Sequence, residues 1–442
     1  MKFLRPANPN RDWRGMHATV LTVLLAAALA LAGCAAGTGG LGGPGAVVVT
    51  PGVGPQLSSE QAKDAAQQSG DAANPSGDPN ALEVIVPVFD PGLPEDSDEW
   101  EKQGIYPELR RAESNRFALK MKSALQDSGE FGAVRVAPNA SATGDLYVIG
   151  KILQSNGEDV KINITVTDIS GKQWFSKDFS HRVKERFHND IRNKNKNNDP
   201  YQPVFDKAAA HIVKQLKKRD AAQLAKLRNL TEIRFGASLS EETFAPYLEK
   251  AGSDGKRVRL AAAPADDDPM LRRIRAIRVR DQLFLDRMQT HYDTFDAKLE
   301  KSYLVWQQQS FTEVKAARAA KRKALTKGIL GGVLLVAGLA AAQEATDDPH
   351  NQSTTGAVGG TLAAIGGGIF LASAWGDRAE MKVHREALAE LGQSIDIEVA
   401  PQVVEFEEET AELSGDAAQQ YAQWIEFLKK IYAIEATPDK TL

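Results

Sequence analysis

The chain has 442 residues, room for two or three domains, with 25% of them charged and a formal net charge of −4. No global field therefore directs it toward nucleic acid or an acidic substrate. A mean hydropathy of −0.34 excludes a polytopic membrane protein, and a single cysteine excludes an intramolecular disulfide.

Lys2, Arg5, Arg11 and Arg14 precede the apolar run VLTVLLAAALALAG, which ends at Leu31-Ala32-Gly33-Cys34. A positive region, an apolar region and small residues before a cut read as a signal peptide over residues 1–33. The L-A-G-C ending resembles the lipobox of bacterial lipoproteins. That resemblance implies diacylglycerol on Cys34, cleavage before it, and a mature chain outside the cytoplasm. An ordinary secretory signal with a chance cysteine is the alternative. Ala35 stands where these lipoproteins carry Asp for inner-membrane retention, so the resemblance implies the outer membrane. Residues 34–81, Gly/Pro-rich and then small and polar, read as a tether with an end-to-end distance of roughly 35–40 Å.

From Leu82 the pattern changes. LEVIVPVF suits a buried strand, and Pro107 opens a helix in which Phe117, Met121 and Leu125 recur every fourth residue before Ser128-Gly129. FGAVRVAP, DLYVIGKIL, DVKINITVTDI and KQWFSKDFSHRV read as strands, with Asn156-Gly157 a hairpin turn. HNDIRNKNKNNDP reads as a loop, and Val204, Ala208, Ile212 and Leu216 mark a second helix. The expected fold is α+β, a small antiparallel sheet with helices over residues 82–220. Its motifs are a helix ending in L-x-x-S-G-x-F, a D-x-x-V-x-G-x-I strand and a V-x-D-x-x-G hairpin. They resemble the N-terminal domain of the Tol system's propeller protein and the periplasmic domain of the curli-secretion lipoproteins. The resemblance implies an envelope compartment and a domain used for docking or ring assembly. The amphipathic β-hairpins of a secretion barrel have no counterpart here.

Residues 221–268 read as a mixed connector, with LTEIRFGASLS, a helix-like EETFAPYLEKA and a turn at Ser253-Asp254-Gly255. Asp268 is an expected N-cap and Pro269 a first helical residue. A long helix over 269–323 follows, a helical stalk whose seam is Leu285, Met288, Tyr292, Phe295, Leu299, Tyr303 and Trp306. Continued to Ala342 it would span roughly 110 Å, so a break is expected. Arg272, Arg273, Arg275, Arg278 and Arg280 crowd its start. They read either as a charged helix face or as ligands for lipid phosphate or a neighbour's carboxylates.

Residues 324–376 read as a glycine-zipper helical hairpin. Gly328 and Gly332 in the first arm, and Gly356, Gly360, Ala364, Gly368, Ala372 and Gly376 in the second, stand at four-residue spacing. On a helix that spacing forms one stripe against which a second backbone lies closely. Lys321, Arg322, Lys323 and Lys327 abut the apolar run, where basic side chains snorkel to headgroups. Three readings stay open: insertion into a bilayer, a seam between subunits, or a buried core within one chain. The composition resembles the glycine-zipper domain of small surface-antigen lipoproteins, which favours insertion. Basic flanks already outside the cytoplasm favour the outer membrane as host. Over 377–442 a charged helix, one or two strands and an amphipathic helix are expected, the last with Tyr421, Trp424, Leu428 and Ile431 on one face.

No catalytic motif is present. His181 and His188 flank a basic turn and read as a solvated loop rather than a metal site. Glu405, Glu407, Glu408 and Glu409 read as the wet face of a strand. No catalytic residue, metal or cofactor is expected. The expected function is a non-enzymatic outer-membrane lipoprotein acting as an envelope scaffold or assembly factor. Its expected partners are outer-membrane lipid, further copies of itself and an unidentified envelope protein, without nucleic acid. The alternative is a subunit of an α-helical outer-membrane conduit. Only Thr361 and Ser373 offer polar groups along the second arm, which disfavours a wide aqueous pore.

Overall fold

A computed structural model describes residues 78, 80–103, 105–190, 193, 198–252, 255, 257–262, 264–265, 267–326, 379–406 and 409–436. The first strand, β1 (Val84–Pro87), is apolar throughout and buried on both faces. A short helix, α1 (Asp98–Gln103), leads into α2 (Pro107–Asp127), which opens on the expected proline. Then come β2 (Val134–Ala137), β3 (Leu146–Ser155), β4 (Asp159–Asp168) and β5 (Gln173–Arg182). Val160, Ile162, Ile164 and Val166 of β4 alternate inward as their spacing predicts. Gly157 holds the β3–β4 turn at φ +82°, a left-handed conformation that suits glycine.

These strands form one sheet in the order β2-β1-β3-β4-β5. It is mixed rather than wholly antiparallel: β1 runs parallel to β2 and to β3, whereas β3, β4 and β5 form antiparallel hairpins. Alternation and turn residues identify the hairpins. The short all-apolar strands β1 and β2 carry no such mark, and burial on both faces is what a parallel centre requires.

The expected loop at 188–200 begins inside a short helix, α3 (Glu185–Asn189). Helix α4 (Gln202–Leu216) follows and packs with α2 on the sheet, where Phe117 meets Phe89, Tyr201 and Phe205 edge-on at 5.2–6.4 Å between ring centres. The stretch expected to be a connector is ordered secondary structure. It holds α5 (Ala221–Leu239), with Asp220 accepting the Gln223 N–H at 2.8 Å, and then α6 (Glu241–Phe244). EETFAPYLEKA passes from helix through one 3-10 turn into β6 (Leu248–Ala251), which pairs with β7 (Arg257–Leu260).

Helix α7 (Pro269–Thr326) runs 58 residues, about 87 Å at 1.5 Å per residue. Asp268 caps it through the Met270 N–H at 2.7 Å, and the helix is continuous as far as Thr326, so any break falls beyond the described residues. The long helix is present, but it lies along the domain, and its residues from Leu271 to Phe311 join the same hydrophobic core as the sheet. Helix α8 (Ala379–Leu391) packs on α7 and α2. The hairpin β8 (Gln402–Phe406) and β9 (Glu409–Leu413) precedes α9 (Ala417–Ala436). As its spacing predicts, α9 buries Tyr421, Trp424, Leu428 and Ile431, and Trp424 stacks on Phe284 of α7 at 4.8 Å. Cys34, the stripe residues from Gly328 to Gly376 and Lys327 lie outside the described residues.

Candidate functional site

The seam of α7 is seated as its periodicity requires: Leu285, Met288, Tyr292, Leu299, Tyr303 and Trp306 are buried and Phe295 is partly so. Polar side chains one position off that seam reach two buried clusters, one near each end of the packed stretch. Together they make the seat on which α7 is held.

In the upstream cluster, Glu83 at the head of β1 accepts from Gln282 at 2.7 and 3.0 Å and from Arg278 at 2.9 Å. Burial pushes the Glu83 carboxyl up, but Arg278, Arg135 and the Gln282 hydrogen bond together hold it below the usual range. The Glu83 N–H donates to Asp145 at 2.8 Å, and Thr231 of α5 donates to the same carboxylate at 2.6 Å. Burial and the nearby Glu83 raise Asp145. Arg135 of β2 grips Asp286 through two bonds at 2.6 and 3.0 Å. The Gln289 amide accepts from the Val136 N–H at 2.9 Å and donates to the Val136 carbonyl at 2.8 Å. It thus supplies β2 with the hydrogen bonds a further strand would have made. Asp281, buried, accepts from Trp424 at 3.1 Å and Tyr421 at 3.4 Å, and burial pushes its carboxyl up to about 6.

In the downstream cluster, Arg116 of α2 donates to Asp199 at 2.9 and 3.3 Å and pairs with Asp296 of α7, with its guanidinium 4.8 Å over the Tyr303 ring. Asp199 also accepts the Tyr201 N–H at 2.8 Å and the Gln307 amide at 3.3 Å. Glu113, wholly buried, accepts from Tyr303 at 2.8 Å and from Ser155. Its carboxyl is raised by burial, against the opposing pull of Arg110. The Tyr201 hydroxyl accepts the Gly157 N–H at 2.6 Å. A Cβ on Gly157 would stand 2.5 Å from the Ser310 Cβ and 2.6 Å from the Phe311 nitrogen, so the turn touches the α7 backbone directly.

Beyond this point α7 is fastened at the surface. Arg318 pairs with Glu158 at 2.6 Å and Asp159 at 3.1 Å, and Lys315 with Glu185 at 2.6 Å. Helix α8 returns alongside, with His384 3.1 Å from the Ser302 hydroxyl. The carboxylates facing the early arginines are therefore the chain's own: Glu83 for Arg278 and Glu232 for Arg275, the latter at 3.1 Å. Lys321, Arg322 and Lys323 lie on the last turns of α7, and Arg322 is exposed. His188 lies with its ring centre 4.7 Å from that of Phe311, and His181 lines an open groove of about 490 Å³ with Lys161 and Lys207. No cluster that could hold a metal occurs among the described residues. Glu405 is exposed and Glu409 half-buried on the β8–β9 hairpin.

Sequence reading missed Glu83, Glu113, Arg116, Asp199, Tyr201 and Asp281. One signal was available. Gln282, Asp286, Gln289 and Asp296 recur by four, three and seven beside the apolar seam, a polar line that needs partners if the seam is covered, and Asp281 stands four residues before Leu285 in the seam itself. Nothing in ELRRAESNRF announces which polar residue of α2 turns inward. Chemically, the clusters consist of groups whose partners are side-chain and main-chain groups of the same chain, and they fasten the helix to the domain. No described helix is long and apolar enough to cross a membrane. Comparison with family models, with curated proteins and with solved structures gave no match.

Proposed function

We propose that the chain is a non-enzymatic lipoprotein of the outer membrane's periplasmic side, a scaffold or assembly factor attached by lipid at Cys34 and by its glycine-striped segment. Oligomerisation along the stripe belongs to the same reading. The supporting observation is the seating of α7. Buried charge pairs hold the helix from Arg278 to Asp296, and Arg318 is fastened to the β3–β4 turn. The basic run at 321–327 and the apolar sequence after it therefore continue from a helix fixed to the folded domain. A rigid helix ending in basic residues transmits the position of a membrane attachment to the domain it carries, which is what a scaffold needs.

Replacing Cys34 with Ala tests both attachments. The variant is expected to fractionate partly with membranes, held by the striped segment. Full release to the soluble fraction would refute insertion. Gly360→Leu with Gly368→Leu is expected to abolish detergent-stable oligomers, and unchanged assembly would sink the stripe as a seam. The conduit reading predicts ion flux through liposomes carrying the oligomer, whereas a scaffold leaves them sealed.

A further inference from the structure

The two edges of the five-stranded sheet differ: β2 is closed by the Gln289 amide, whereas among the described residues β5 is the last strand on its side. Its hydrogen-bond phase can be read directly. The Val183 N–H donates to the Glu158 carbonyl at 2.8 Å, and Asp159 stands opposite Arg182. In an antiparallel ladder the residues that bond the neighbour alternate. Odd-numbered residues of β5 therefore face β4, and Ser176, Asp178, Ser180 and Arg182 point their N–H and C=O groups away from the sheet. Consistent with this, the Lys207 amine reaches the Ser180 carbonyl from the open side at 3.2 Å. The groove of about 490 Å³ lies along this stretch, lined by Ser180, His181, Arg182 and Lys207.

We infer that β5 pairs with β5 of a second copy, antiparallel and about a two-fold axis at Ser180. This extends the oligomeric part of the reading above and places a contact on the α+β domain, separate from the glycine stripe. A two-fold axis makes one strand its own antiparallel partner. Of the axes at residues 178 to 182, only that at Ser180 sets unlike charges of β5 directly opposite; those at Phe179 and His181 set Ser180 against Asp178 or Arg182. An axis at Asp178 sets that carboxylate against itself, and an axis at Arg182 does the same with guanidinium. An axis at Ser180 sets Asp178 opposite Arg182 of the other copy, twice. Within one chain Asp178 already pairs with Lys161 at 2.7 Å, both exposed, and the exposed Arg182 pairs with the more sheltered Asp159 at 2.6 Å. Pairing would join them into a row of alternating sign, Lys161, Asp178, then Arg182 and Asp159 of the second copy. On the other face of the strand the same register sets Phe179 against His181. The Lys207 amine must share or release the Ser180 carbonyl, a small loss for an exposed lysine. A contact of this length buries less than about 1,200 Å², so the dimer is concentration-dependent.

Thiol crosslinking of the full-length chain tests it, with the parent protein, whose one cysteine is Cys34, as control. Ser180→Cys is expected to give an oxidised dimer on a non-reducing gel, in excess of Lys177→Cys, whose position lies off the axis. Adding Asp178→Arg to Ser180→Cys is expected to cut the dimer about tenfold, since it places two like-charge contacts across the axis. Adding Arg182→Asp as well is expected to restore it. Equal crosslinking at 180 and 177, or indifference to Asp178→Arg, overturns the proposal. Gly360→Leu is expected to leave the Ser180→Cys dimer unchanged even if it dissolves stripe-mediated oligomers. Loss of the dimer in that variant assigns the contact to the stripe and likewise overturns the proposal.

Discussion

The upstream and downstream clusters that seat α7 solve one problem with different chemistry. Downstream, one wholly buried cation, Arg116, gathers Asp199, which precedes α4, with Asp296 and the Tyr303 ring of α7, while Lys120 reaches Asp296 from the rim at 3.4 Å. Upstream, the charges are divided among pairs, Glu83 with Arg278 and Arg135 with Asp286, while Asp281 has only neutral donors in contact. The difference teaches where each seat is vulnerable. The downstream seat gathers its carboxylates on Arg116, and the upstream seat holds in Asp281 a carboxyl pushed up to about 6.

The largest expected effect comes from Arg116→Met. Removing one member of a buried ionic cluster strands the others, and a loss of about 3–5 kcal/mol follows. Chemical denaturation measures it, and a loss below about 1 kcal/mol would refute Arg116 as the hub of that cluster. Next comes the pH response of Asp281. Its carboxyl rises from 3.8 in the unfolded chain to about 6 when folded, so the folded state holds the proton across that window. Stability from this group is full below about 3.8 and is lost as pH climbs through about 6, by up to roughly 3 kcal/mol. Asp281→Asn should remove that part of the slope, and an unchanged slope would exclude Asp281 as its source.

Gly157→Ala sharpens the contrast from the side of the turn. Its φ of +82° and the α7 backbone beside it oppose any Cβ, and about 1–3 kcal/mol is expected. Hydrogen exchange should show the cost as faster opening of α7 near Ser310, not near Gln289. The smallest effect is that of Gln289→Leu, which leaves the Val136 N–H and carbonyl unpaired at the β2 edge. A loss of about 1–2 kcal/mol is expected in a denaturation series, with exchange of the Val136 amide accelerated.

Much of this architecture was legible in periodicity. The β3–β4–β5 hairpins, the Asp268 cap, the α7 seam and the buried face of α9 each follow from spacing and turn residues. The polar clusters were not legible, because a charged residue on a helix looks the same in sequence whether it meets water or a buried partner. Arg116 and Arg111 are both arginines of α2, yet Arg116 is wholly buried and Arg111 is not. What separates them is where Asp199 and Asp296 arrive, and those residues lie 83 and 180 positions away. The parallel placement of β1 was hidden for a similar reason. Four apolar residues say that a strand is buried without saying which neighbours bury it.

Helix α2 makes its last contacts with the far end of the chain: the Asn115 amide donates to the Ile395 carbonyl at 2.7 Å across 280 positions, and a Cβ on Gly392 would overlap the Glu108 backbone. Contacts of such sequence separation are closed late, because the loop between them must be ordered first. A chain emerging N-terminus first can form β1 and α2 early. It cannot finish covering them until the residues beyond 378 have followed. The apolar run at 329–342 therefore emerges while the surface that will hold its flanks is still incomplete. A folding helper that shields α2 would act in that interval, and its task would end when Gly392 docks.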